Sequence, residues 1–491
     1  MKINFITNLL EYRYDYEQIL RNFYFELEFV EEKDSLIINL DVILKDDLII
    51  NKVEIKNFKK NKVYSFARNK KVDNLDNLAD KTKKRLVKRY SKICLYLALS
   101  RFLRKKLDWG ALTGIRPTKL AWEFYNEIKC ENTKLNDLDV YKLIFKILVE
   151  DFYLKKNKAN LVIDILKTQK SLNKNENHID FYINIPFCTT RCSYCSFISA
   201  QIDKNRTLIS PYINALLKDI ENAKLIIKKN NYIVDNIYIG GGTPTSFTAD
   251  ELDLILSKID FKVTEFTVEA GRPDTIDIDK LNVLNNHGVT RISINPQTFN
   301  ENVLKEIGRC HSKQDIFNAF ILARKFKFVI NMDTIAGLPK DSFKSFKYTI
   351  NQIIKLNPEN ITVHTLALKK KSTLAKDKTL KRNDKIVNQM VNYARRKLQA
   401  YGFKPYYMYR QKYMLGNLEN VGFTKNNYKC EFNIDSMEES KTILACGANA
   451  ISKRVFTKEN RIERHANAKD IHTYINNLDK FLIDRNKLFN D

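Results

Sequence analysis

The sequence predicts an α/β protein: a partial six-unit (β/α) barrel flanked by N-terminal and C-terminal α+β regions. Three observations carry this. Six short apolar runs with strand character alternate with amphipathic helical stretches between residues 181 and 365, the pattern of parallel βα units. The residues with the most chemistry fall just past the C-terminal ends of those runs, where such folds gather their sites. The chain of 491 residues is also too long for a single core. We therefore expect domains at 1–175, 176–370 and 371–491.

The first region reads as α+β. Residues 8–23 carry helical periodicity, and alternation in Phe25–Phe29, Ser35–Ile43 and Ile49–Ile55 predicts strands. From about Leu78 the period lengthens, placing Leu86, Tyr90, Ile93, Leu97 and Phe102 on one helical face. The stretch Asp108–Lys119 holds two glycines and a proline and reads as a loop between helices. The polar run Asn173–Ile179 is the expected boundary.

From Phe181 the order is regular. Strand 181–185 precedes a helix with Ser210 as N-cap and Pro211 in its first turn. Strand 233–239 leads to a helix opened by the capping box Thr248-Ala-Asp-Glu251. Strands 264–269, 290–294, 328–334 and 360–365 alternate with helices at 276–286, 300–306, 313–325 and 342–355. Beyond residue 370 the chain returns to α+β. A helix is expected near 382–400, strands near 404–411 and 430–436, a small-residue turn at Cys446–Ser452, and a closing helix near 468–483.

The net charge of +26 raises nucleic-acid binding, but the excess is lysine spread along the chain. Only short runs stand out, Lys81–Arg85 and Lys369–Lys371, without the interleaved aromatics of a nucleic-acid surface. No nucleic-acid partner is expected, and the charge equally suits a polycarboxylate small molecule. No apolar run reaches membrane-spanning length and the start lacks a secretory pattern. Five scattered cysteines (Cys94, Cys130, Cys310, Cys430, Cys446) fit a reducing compartment. A cytoplasmic protein is expected.

The other three cysteines are not scattered. Cys188, Cys192 and Cys195 form C-x3-C-x2-C directly after the apolar run Phe181–Phe187. Thiolates this close past a strand end converge on a metal centre. Two readings stay open: an iron–sulfur cluster, in which three thiolates leave one iron free for a non-protein ligand, and structural zinc, for which no fourth ligand stands nearby at the usual spacing. On the same rim lie Gly240-Gly241-Gly242-Thr243, Glu269, Gln297, Arg309 and Asp333. The glycines either let backbone approach a ligand or simply form a tight turn. Each charged residue alone could be a surface ion-pair partner.

These stretches resemble a known family. Tyr182–Cys188 with its cysteines, Ile239–Thr245, Arg291–Gln297, Ile307–His311 and Asn331–Pro339 run collinearly over about 178–370. They are similar to radical S-adenosylmethionine (SAM) enzymes, more narrowly to the oxygen-independent coproporphyrinogen III oxidase group. Ala111–Lys119 and Leu415–Gly422 extend the likeness to its HemZ-like branch, described as a coproporphyrinogen dehydrogenase. The resemblance implies a radical SAM-type barrel and one [4Fe-4S] cluster held by Cys188, Cys192 and Cys195, with SAM chelating the open iron. It implies SAM contacts from Tyr182, Tyr194 (against the adenine), Gly241, Gly242, Thr243, Glu269, Gln297, Arg309 and Asp333, and one SAM or two.

The implied reaction starts with an electron from a low-potential donor such as flavodoxin or ferredoxin. SAM is cleaved, a propionate β-hydrogen is taken, and loss of CO2 and a second electron leaves a vinyl group. Two rounds convert coproporphyrinogen III to protoporphyrinogen IX. Cations for the tetrapyrrole carboxylates are expected among Arg116, Lys119, Arg410 and Lys412. The sequence departs from the described oxidases two residues past Cys195, where Phe197 replaces a further, non-ligating cysteine. Relatives with Phe there include haem-binding chaperone-like proteins, so haem delivery, with His364 or His465 toward haem iron, is the alternative. Action on another tetrapyrrole is a third.

Overall fold

A computed structural model describes all residues except 25, 33–34, 59–60, 171–174, 198, 370, 378–381, 458, 460 and 491. Phe25, Asn173, Lys174 and Lys370, each within a stretch singled out above, lie outside the described residues. Contacts divide the chain into two compact units, Met1–Ile163 and Asp164–Asp491. The expected second boundary near 370 is not a break, because later strands extend the barrel sheet.

The first unit contains β1 (Lys2–Thr7), α1 (Arg13–Phe23), β2 (Glu28–Phe29), β3 (Leu36–Lys45), β4 (Leu48–Asn57), β5 (Lys62–Lys71), α2 (Asp80–Phe102), α3 (Pro117–Glu131) and α4 (Asp137–Lys146). Helix α5 (Lys156–Gln169) carries the division between the units. The sheet order is β2-β1-β3-β4-β5. Strands β1 and β5 were not foreseen. The side chains of β5 alternate between exposed and half-buried, so this edge strand lacks the apolar face that marks a strand in sequence.

The second unit opens with β6 (His178–Ile185), then the two-residue strands β7 (Phe187–Cys188) and β8 (Ala200–Gln201). There follow α6 (Ile209–Lys229), β9 (Ile233–Gly241), α7 (Ala249–Leu256), β10 (Glu265–Val268), α8 (Ile278–Asn286) and β11 (Arg291–Ser293). Next come α9 (Glu301–Glu306), α10 (Lys313–Ala323), β12 (Val329–Ala336), α11 (Phe343–Leu356) and β13 (Asn360–Thr365). Strands β6, β9, β10, β11, β12 and β13 pair parallel in chain order. This is the expected six-unit series. The Thr248 capping box is formed on both sides. Ser210 is not a cap: a 3-10 turn, Asp203–Leu208, runs straight into α6 and places Ser210 inside its first turn.

The C-terminal elements are α12 (Asp384–Ala400), β14 (Lys404–Tyr409), β15 (Asn420–Thr424), α13 (Glu431–Glu438), β16 (Thr442–Cys446), β17 (Ile451–Phe456), β18 (Arg461–Ala466), α14 (Ile471–Asn476) and α15 (Leu478–Phe489). They flank both edges of the parallel series. Strand β16 lies parallel beside β6, and β15 pairs antiparallel with β13. The stretch 430–436, expected as a strand, is the helix α13. Its Phe432 stacks on Tyr238 at 4.5 Å and on Tyr182 at 5.9 Å, and that aromatic packing overrides the local strand pattern. The single closing helix is two, α14 and α15. Among the described residues no helix is long and apolar enough to cross a membrane.

Candidate active site

Parallel pairing of β7 with β8, Phe187 to Ala200 and Cys188 to Gln201, pinches the chain into a loop that carries the three clustered cysteines. The loop is tied from two sides. The Ser193 amide donates to Ile307 O at 3.0 Å, and Ser193 O accepts from Leu374 N and Thr373 Oγ1, both at 3.0 Å. All three thiols line one cavity of about 350 Å³, which Tyr194, Gly241, Gly242, Thr243, Glu269, Gln297, Arg309 and Asp333 also line. Residues spread over some 150 positions thus meet because strand ends converge.

Tyr182 is the exception. Its side chain is not in the cavity wall; its hydroxyl donates to Asn184 Oδ1 at 2.8 Å and its ring packs beside the stacked pair Tyr238 and Phe432. Of the two expected histidines, His364 lines the cavity and His465 does not. Arg116 and Lys119 belong to the first unit. Arg410 is buried and donates to Asn417 Oδ1 at 2.7 Å, and neither it nor Lys412 lines the cavity.

Several wall residues escaped the sequence reading. Tyr238 donates its hydroxyl to Glu269 at 2.6 Å. Ser293, Asn295, Asn331 and Thr362 line the cavity, each two residues from a recognised or lumen-facing position. The period of two along a strand was the available signal. Tyr407, Tyr409, Asn433 and Met437 come from β14 and α13, and no local pattern indicated them.

Burial acts on the charged groups with different outcomes. It pushes the Glu269 carboxyl up to about 7, aided by nearby Asp333 and opposed by the Tyr238 hydrogen bond. Asp333 is also largely desolvated, but hydrogen bonding from His364, Asn331 and Thr362 outweighs that and holds it below the usual carboxylate range. His364 Nε2 stands 3.4 Å from Asp333, and Asn331 Nδ2 donates to it at 2.8 Å. The buried Arg309 guanidinium donates to Asn295 O at 2.6 Å and to the Tyr194 hydroxyl at 3.2 Å.

Gln297 adopts a left-handed backbone with φ of 62°. Such a conformation costs about 1–2 kcal/mol in a residue with a side chain. Hydrogen bonds on both sides enforce it: its amide donates to Asp333 O at 3.0 Å, and its carbonyl accepts from Ile335 N at 3.1 Å. The glycines have a packing reason. At Gly241 a Cβ would overlap Asn184 Oδ1, and at Gly242 the Phe187 carbonyl. The turn must therefore be side-chain-free to pass the end of β6.

A model of the Radical SAM superfamily matches residues 182–353. The oxygen-independent coproporphyrinogen-III oxidase-like protein HemZ of Bacillus subtilis (strain 168) is 37% identical over 379 residues, 74% of each chain. The chain belongs to the radical SAM superfamily, in its coproporphyrinogen oxidase-like family. The heme chaperone HemW of Bacillus subtilis is 35% identical over 198 residues, 39% of this chain and 51% of that one. The solved structure of Escherichia coli HemN, a coproporphyrinogen III oxidase, superposes with a TM-score of 0.50 at 22% identity, covering 66% of this chain and 72% of HemN. It confirms the fold.

Membership in the radical SAM superfamily implies a [4Fe-4S] cluster and SAM, and the residues present fit both. Among the described residues no three His, Cys, Asp or Glu side chains close on a single ion. The three thiols instead share a cavity wall, as suits ligands that each take a different iron. Burial raises the Cys195 thiol to about 11 and raises Cys188 as well; bound iron would displace those protons. For SAM, buried Gln297 Oε1, Asn295 Oδ1 and Arg309 Nε have no protein partner. Acceptors and a donor left open at a cavity wall suit a polar ligand.

Proposed function

We propose that this radical SAM protein oxidatively decarboxylates two propionate side chains of coproporphyrinogen III to vinyl groups, giving protoporphyrinogen IX in anaerobic haem biosynthesis. One observation carries the reading: the three loop cysteines and the acid, amide and guanidinium side chains suited to SAM line a single cavity. Bound there, the cluster and SAM would supply an electron and a 5′-deoxyadenosyl radical able to take hydrogen from a propionate β-carbon. Cys188, Cys192 and Cys195 would hold the cluster. Thr243, with Oγ1 3.5 Å from Cys188 Sγ, would steady the thiolate nearest the glycine turn. Glu269 and Asp333 would orient the ammonium and hydroxyl groups of SAM, and the Arg309 fork its carboxylate. Tyr407, Tyr409 and Met437 would close the far wall to water. Arg191 and Lys369, also in the wall, supply cations for a tetrapyrrole polycarboxylate. A low-potential flavodoxin or ferredoxin in the cytoplasm is the donor in this reading.

Haem binding for delivery is the second reading. Phe197, 61% exposed at the cavity, favours it, as does the presence of His364 in the wall. The test is anaerobic: reconstituted protein, SAM, a low-potential reductant and coproporphyrinogen III, with 5′-deoxyadenosine and porphyrins quantified together. Tri- and dicarboxylate porphyrins formed in step with 5′-deoxyadenosine establish the oxidase. Cleavage of SAM without a vinyl product discards the substrate. Tight haem binding with neither product selects delivery.

A further inference from the structure

Arg272 has no place in the contacts described so far, yet it is nearly buried, with 3% of its side chain exposed, and lines the cavity beside the cysteine loop. Its guanidinium has two faces. Nε and Nη2 meet the Asp274 carboxylate at 3.2 and 3.3 Å. Nη1 turns the other way, to Thr190, donating to Oγ1 at 2.7 Å and to the carbonyl at 3.4 Å. Thr190 lies between Cys188 and Cys192, and its hydroxyl in turn donates to Gly308 O at 3.0 Å. Gly308 directly precedes Arg309.

Asp274 is itself anchored. His311, whose side chain is fully buried, has Nδ1 3.5 Å from the same carboxylate. The sequence therefore builds a chain of contacts, His311–Asp274–Arg272–Thr190–Gly308, that ties the cysteine loop to the segments after β10 and α9. Nε and Nη2 are occupied by the Asp274 carboxylate, and Nη1 of the same delocalised cation faces the loop. A fixed positive charge beside cluster ligands favours the reduced, more negative cluster, and second-shell hydrogen bonds orient the ligands.

We propose that Arg272 is a positioning residue for the cluster loop, fixing Thr190 through Nη1 while its Nε/Nη2 fork is held by Asp274, and raising the reduction potential of the bound cluster by its charge. The inference rests on the cluster reading of Cys188, Cys192 and Cys195. Full-length wild type, Arg272→Gln, Arg272→Lys and Thr190→Val are reconstituted anaerobically. Iron and sulfide content, the rate of iron loss to a chelator, and the midpoint potential by EPR titration are then compared.

Arg272→Gln is expected to lower the reduction equilibrium constant about tenfold, about 59 mV for one electron, and to speed iron loss. Arg272→Lys restores the potential but not the slow iron loss, because an ammonium cannot reproduce the fork. Thr190→Val, which keeps the charge, speeds iron loss at unchanged potential, and it decides the positioning role even where Arg272→Gln fails to fold. Loaded variants whose potentials and iron loss match wild type overturn the proposal alone. A wild-type chain that takes up no cluster overturns the cluster reading and the proposal with it.

Discussion

At the scale of single residues, the cavity separates side chains that sequence alone would treat alike. Glu269 and Asp333 are both half-buried carboxylates at strand ends, yet desolvation raises one to about 7 while hydrogen bonding from His364 lowers the other. If Glu269 binds SAM as a carboxylate, affinity rises with pH up to about 7 and falls up to tenfold per unit below it. Calorimetric titration of SAM from pH 5.5 to 8 checks this, and Glu269→Gln removes the slope. The linkage to folding has the opposite sense. A carboxyl raised in the folded state prefers its proton there, so apo-protein stability declines as pH rises from about 4.5 through about 7. The two tyrosines diverge as well. Tyr194→Ala is expected to weaken SAM binding by about 1–3 kcal/mol, the worth of an aromatic stacked on a base. Tyr182→Phe, outside the cavity wall, leaves SAM affinity unchanged in the same titration.

Among elements, α13 and α7 show how differently local and distant forces fix structure. Helix α7 is written into the sequence: Thr248 and Glu251 cap each other's amides, and Thr248→Ala should cost about 1 kcal/mol in a denaturation curve. Helix α13 is short and borders the cavity through Asn433 and Met437. Packing holds it. Phe432 is 6% exposed and stacked on two tyrosines, so Phe432→Ala should cost about 3–5 kcal/mol. Because Tyr238 carries both the Phe432 stack and the Glu269 hydrogen bond, that substitution should also disturb SAM binding. Thr248→Ala should not.

For the whole molecule, the C-terminal elements act as structural parts of the barrel unit. Arg485 on α15 and Asp219 on α6 form a fully buried ion pair at 2.5 Å. Asp219 also accepts from the Gly447 amide at 2.9 Å and the Tyr474 hydroxyl at 2.7 Å. Arg485→Ala leaves that carboxylate without its cation, expected to cost about 3–5 kcal/mol, measured as a shift in thermal unfolding of the full chain. A chain ending at residue 440 lacks β16 and is expected to be insoluble, because the β6 edge then lies open to other strands.

The sequence by itself determined the parallel series, the cysteine loop and most of the site. Alternating periods, caps and turn residues are local, and a parallel βα unit places its functional residues at one strand end wherever they fall in the chain. All six barrel strands and the capping box could be read that way because each is specified within a dozen residues. The tertiary structure decided what depends on distant partners. It moved Tyr182 out of the wall and Tyr238 in, although the two are register partners on one face, since the Tyr182 hydroxyl turns to Asn184 and the Tyr238 hydroxyl to Glu269 in the cavity. It turned 430–436 into a helix, since aromatic burial against β6 and β9 outweighs local propensity. It joined the last quarter of the chain to the barrel sheet, since β16 pairs with a strand more than 250 residues earlier, and a pairing that remote leaves no mark on local sequence.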